Sequence, residues 1–101
     1  MATRDDDDLQ CWLVRVRGRV QGVGYREACV RHARTSGITG WVRNRMDDSV
    51  EATLQGPRAQ LQAMCDWMRE DMPAALVDDM DVKTIEPPFP RFDHFERWPT
   101  L

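Results

Sequence analysis

The sequence predicts an α+β domain ordered β–α–β–β–α–β, with a short extra strand at its C-terminal end. Three observations carry that prediction. Two stretches, around Val14 and around Ala52, alternate apolar and polar residues with a period of two, as half-buried strands do. Two others repeat apolar residues at helical spacing, and glycine or proline brackets each of them. The gap at 46–49 leaves room only for a hairpin turn. This is a split β–α–β arrangement. Two helices are expected to cover one face of an antiparallel sheet while the other face meets solvent. A chain of 101 residues supports one core of this kind.

Asp5 to Asp8 form an acidic run that repels itself and stays solvated. Residues 1–8 are therefore expected to be a disordered tail, with a single domain over 9–101. The first strand is predicted over 11–17, where Trp12, Val14 and Val16 alternate with Arg15 and Arg17. A glycine-rich loop follows, then a helix over 25–36. Tyr25, Cys29, His32, Ala33 and Ser36 lie on one side of that helix, with Glu27, Arg31 and Arg34 facing out. Gly37 ends it as a left-handed cap. Strands are predicted over 39–45 and 50–55, and in the second Val50, Ala52 and Leu54 point inward while Glu51 and Thr53 face water.

Gly56-Pro57 opens the second helix, with proline at the first helical position. Leu61, Met64, Cys65 and Met68 recur at i, i+3, i+4 and i+7, a core-facing stripe. Pro73 stops the helix. A fourth strand is predicted over 80–85. Pro87, Pro88 and Pro90 forbid regular structure after it, and residues 92–98 supply the short terminal strand.

Composition excludes several classes of function. The net charge is −3, which gives no support to a nucleic-acid surface. No apolar run approaches the ~18 residues a membrane span needs. The N-terminus lacks the basic-then-apolar layout of a signal peptide, so a cytoplasmic protein is expected. Cys11, Cys29 and Cys65 are widely spaced, with no Cys-x-x-Cys pair, and read as buried free thiols. His32 and His94 are read as structural residues.

Chemistry concentrates in Gly18, Arg19, Val20, Gln21, Gly22, Val23 and Gly24, followed by Tyr25 and Arg26. Three glycines within seven positions let backbone N–H groups approach a ligand. Where such a loop runs into a helix N-terminus it makes an anion cradle. Arg26 stands where its guanidinium reaches back over the loop as a bidentate phosphate partner. The nucleotide-binding spacings Gly-x-x-x-x-Gly-Lys-Ser/Thr and Gly-x-Gly-x-x-Gly are absent. A phosphate site and an ordinary β–α turn both fit the loop by itself. Asn44, at the end of the second strand, offers an acceptor and two donors. It suits either the holding of a water beside an anion or a place in the turn with Asp47 and Asp48.

These segments, with Gly40-Trp41-Val42-Arg43-Asn44 and Val50-Glu51-Ala52-Thr53-Leu54-Gln55-Gly56, closely resemble the acylphosphatase family in order and spacing. The resemblance implies a ferredoxin-like sandwich. It further implies that Arg26 binds substrate, that Asn44 orients water, and that the loop Gly18 to Gly24 holds phosphate through backbone N–H groups. The expected activity is hydrolysis of a small acyl phosphate to carboxylate and inorganic phosphate, with no cofactor, metal, nucleic acid or membrane partner, by a monomer. Family-like domains also occur inside larger maturation enzymes, so an anion-binding module without turnover is the alternative. RNA binding and metal carriage share the fold order. The first lacks the aromatic platform and the second the paired cysteines. Tyr25 stands where the family commonly has phenylalanine, so its hydroxyl needs a partner. Asp48 replaces a hairpin glycine at some cost in stability.

Overall fold

The computed structural model describes residues 9–101, so the acidic run lies outside the described residues. Its elements are β1 (Leu9–Arg19), α1 (Tyr25–Ser36), β2 (Thr39–Asn44), β3 (Val50–Pro57), α2 (Arg58–Glu70), β4 (Leu76–Thr84) and β5 (Phe95–Arg97). They build one sheet in the order β4-β1-β3-β2-β5. The pairs β4–β1, β1–β3 and β3–β2 are antiparallel.

β5 departs from the expected antiparallel sheet, because it runs parallel to β2 through Gly40↔Phe95, Trp41↔Glu96 and Val42↔Arg97. The path of residues 85–94 explains why. Ile85 N–H bonds Cys11 O, Gln55 Nε2 bonds Pro90 O, Phe92 N–H bonds Gln55 Oε1, and Gly40 N–H bonds His94 O. The chain thus crosses β1, β3 and β2 at one end of the sheet. It reaches β2 at that strand's first residues and can only continue in the same direction. The opposite end, where β1 and β2 finish, stays open for the loop that precedes α1.

Trp12, Val14 and Val16 of β1, Val42 of β2, and Val50, Ala52 and Leu54 of β3 meet Tyr25, Cys29, Val30 and Ala33 of α1. Leu61, Met64, Cys65 and Met68 of α2 complete this core, as their spacing predicts. Each fully buried Leu or Met there contributes about 1.5–3 kcal/mol. His32 sits at the helix–helix edge, stacked on Trp67 with ring centroids 4.1 Å apart. Gly37 caps α1 at φ 75°. Pro57 is the residue before α2, not its first, because at φ −65° and ψ 145° it closes β3.

β3 is covered on both faces, contrary to the expectation that Glu51 and Thr53 face water. Glu51 is 7% exposed and Thr53 5%. Arg15, Arg43 and Arg45 close over the Glu51 carboxylate at 3.3, 3.1 and 3.4 Å. Beside them Trp41 stacks on Trp98 at 4.5 Å, and the Arg43 guanidinium lies 4.8 Å from the Trp41 ring. β4 begins at Leu76, earlier than its alternation suggests, because the exposed edge strand follows β1 back to Arg19. Among the described residues no helix is long and apolar enough to cross a membrane.

Candidate active site

Two strand ends and a helix start converge at the open end of the sheet. β1 carries the chain to Arg19, residues 20–24 bend back, and α1 begins at Tyr25. Gly22 and Gly24 take φ of 75° and 78°, the left-handed region that glycine enters without a Cβ clash. Gly24 precedes the helix without a side-chain cap. The first bond of α1 runs from Ala28 N–H to Gly24 O at 3.1 Å. First-turn N–H groups therefore have no intrahelical partner, and the helix dipole adds positive potential where an anion would sit.

A recess of about 100 Å³ opens there, lined by Val20, Gly22, Gly24, Tyr25, Arg26, Glu27, Asn44 and Arg97. Alternation along β2 points Val42 and Asn44 to the helix side, and Trp41 and Arg43 to the other. That places Asn44 across from α1. Its Oδ1 is buried and has no hydrogen-bond partner among the described residues, an unusual state for a buried acceptor. Arg26 is half-buried, and among the described residues no carboxylate pairs with it. The recess thus brings together Arg26, a cation with which no carboxylate among the described residues pairs, Asn44, whose amide oxygen has no partner among them, and the helix N–H groups.

The structure divides the loop residues by task. Val20, Gly22 and Gly24 line the recess with Arg26 and Asn44. Gly18 and Arg19 belong to β1 and are not in the lining. Gly18 sits at a register shift, and a Cβ there would stand 2.2 Å from Leu76 O. Its requirement is close approach to β4. Val23 packs on the core. Gln21 reaches away from the recess and donates to Arg45 O and Ser49 O, both at 2.9 Å. The turn that it grips is itself tied. Arg45 N–H bonds Ser49 O at 2.8 Å, Asp48 holds φ 73°, and Ser49 donates its N–H and hydroxyl to Asp47 Oδ1. Those two bonds hold the Asp47 carboxyl below its ordinary range.

Tyr25 finds the partner that its hydroxyl needs, donating to Met68 O at 2.9 Å. Burial pushes that phenol well above its usual range. Burial likewise pushes the Cys29 thiol up to about 12 and Cys65 to about 11, and raises Cys11. Protonated thiols of this kind are inert as nucleophiles. His32 and His94 lie outside the recess. Among the described residues no group of three or more His, Cys, Asp or Glu side chains is placed to hold a metal. Glu27 and Arg97 belong to the lining although the sequence did not single them out. Glu27 had one signal, its place directly after Arg26. Arg97 had none, since its place depends on β5 lying against β2.

Comparison with known proteins agrees with this architecture. The acylphosphatase family model matches residues 12–97. Acylphosphatase 1 of Ralstonia nicotianae is 71% identical over 89 residues, 88% of this chain and 87% of that protein. The acylphosphatase of Polaromonas naphthalenivorans is 52% identical over 101 residues, the whole of both chains. The solved acylphosphatase structure from Coxiella burnetii superposes with a TM-score of 0.88 at 29% identity, covering 96% of this chain and all of that one.

Proposed function

The chain belongs to the acylphosphatase family, and from that premise we propose that Arg26 and the backbone of residues 20–24 bind the phosphoryl group while Asn44 orients the attacking water. The protein is an enzyme that hydrolyses acyl phosphates to a carboxylate and inorganic phosphate. One observation carries the assignment of roles. Asn44, whose buried Oδ1 has no hydrogen-bond partner among the described residues, lines the same recess as Arg26, with which no carboxylate among those residues pairs.

In the proposed reaction the phosphoryl oxygens rest on the N–H groups of the loop and of the first turn of α1. Arg26 contributes charge-assisted bonds to them. A water held by the Asn44 amide attacks phosphorus opposite the acyl oxygen. The new P–O bond forms as the anhydride P–O bond breaks, and the carboxylate leaves with the electron pair. The water's proton passes to a phosphoryl oxygen. A carboxylate is a good leaving group, so the protein's task is positioning and charge stabilisation. In this reading residues 9–101 act as one catalytic domain, monomeric and cytoplasmic, on small acyl phosphates and without a metal.

Hydrolysis of benzoyl phosphate in ¹⁸O-labelled water, with chelator present, tests the route. Attack on phosphorus puts the label in phosphate. Label in benzoate would place the attack on the carbonyl carbon and remove the role given to Asn44.

A further inference from the structure

Arg97 stands between two spaces. It lines the phosphate recess, and with Arg26 it also lines a trough of about 420 Å³ whose other walls are Trp98, Pro99 and Thr100. The two spaces share both arginines. A substrate with its phosphoryl group in the recess therefore has the trough as a neighbouring place for its acyl group. Among the described residues no carboxylate side chain lines the trough, so the charged side chains that line it are cationic, and Trp98 and Pro99 give it apolar surface.

Among the described residues Arg97 makes one ion pair, from Nη1 to Glu27 Oε2 at 2.9 Å. Glu27 is in the first turn of α1 and lines the recess, where an unpaired carboxylate would repel a phosphate. The pair offsets that charge and places the guanidinium at the boundary of recess and trough. That pair uses one nitrogen, and a guanidinium carries five N–H donors. Both partners are about half exposed, 49% for the Arg97 side chain and 54% for Glu27, so the pair is weak enough to rearrange around a substrate.

We propose that Arg97 binds the acyl group and gives this enzyme a preference for acyl phosphates whose acyl part bears a second negative charge. The inference rests on the phosphate placement given above and adds the acyl end of the site.

The test compares benzoyl phosphate with 4-carboxybenzoyl phosphate, which share a ring and a leaving carboxyl and differ in one remote charge. The readout is the ratio of kcat/KM for the carboxylated acyl phosphate to that for the plain one. Any effect of a substitution on phosphate binding or folding enters both terms and cancels. Wild type is expected to favour the carboxylated acyl phosphate. Arg97→Gln should lower the ratio about tenfold, near the lower end for a charge-assisted bond at a half-exposed site. Arg97→Lys should retain part of the preference. Glu27→Gln, which frees Arg97 from its competitor, should raise the ratio about threefold.

A ratio unmoved by Arg97→Gln and Glu27→Gln, with benzoyl phosphate still turned over, would overturn the inference and leave the phosphate-site reading standing. Wild type that hydrolyses neither acyl phosphate would overturn both.

Discussion

The Gln21 amide donates to the carbonyl oxygen of Arg45 at 2.9 Å, tying the loop after β1 to the residue that follows Asn44. The same nitrogen bonds Ser49 O on the far side of the β2–β3 turn. Arg26 and Asn44 are carried by separate elements, and this amide fixes the distance between those elements. Gln21 is thus a positioning residue.

Gln21→Ala should separate the two halves of the site without removing a group from the recess. Losing both bonds costs about 1–3 kcal/mol, or about 4–8 °C in Tm for each kcal/mol in a domain of this size. Displacement of the loop should lower kcat by up to about 100-fold, with a smaller loss of phosphate affinity. Thermal melts and steady-state kinetics check this. An unchanged kcat in a destabilised protein would make Gln21 purely structural.

How much of this was legible in the sequence depends on whether a feature is local. The stripe Leu61, Met64, Cys65 and Met68 forecast the buried face of α2, because helical periodicity is written in adjacent turns. The same holds for Gly37 as the cap of α1. Glu51 was misread because alternation identifies two faces of a strand but not what covers the second. Its cover comes from Arg15 and Arg43 on neighbouring strands. Gly18 looked like part of an anion loop, and only the pairing of β1 with β4 shows what its missing side chain avoids. Arg97 was invisible for the same reason, since the direction of β5 follows from where residues 85–94 cross the sheet.

Glu51→Ala leaves Arg15, Arg43 and Arg45 without their shared carboxylate. Removing one partner of a fully buried ion pair costs about 3–5 kcal/mol, and the partly exposed arginines reduce this to about 2 kcal/mol here. Denaturant unfolding measures it. The site lies on the helix side of the sheet, so kcat at 25 °C should hold while the midpoint falls.

His32 makes stability depend on pH. Burial against Trp67 lowers it from 6.5, and the nearby Asp71 carboxylate opposes this more weakly. With its folded value depressed, the unfolded chain binds the proton first as pH falls. The contribution is intact above about 6.5 and is lost as pH drops through the folded value. His32→Phe should therefore flatten the fall in Tm between about pH 7 and 5. Neither histidine lines the recess, so the double variant His32→Gln/His94→Gln should keep kcat near wild type. A large loss would restore a histidine base to the mechanism.

The central claim is that Asn44 acts on water and Arg26 on phosphate, and one paired measurement separates the two. Benzoyl phosphate turnover and inhibition by inorganic phosphate would be measured together for wild type, Asn44→Ala and Arg26→Ala. Asn44→Ala should lose about 100- to 1,000-fold in kcat while its inhibition constant for phosphate stays close to wild type. Arg26→Ala should lose turnover and phosphate inhibition together. Near-normal turnover in either folded variant would contradict the account.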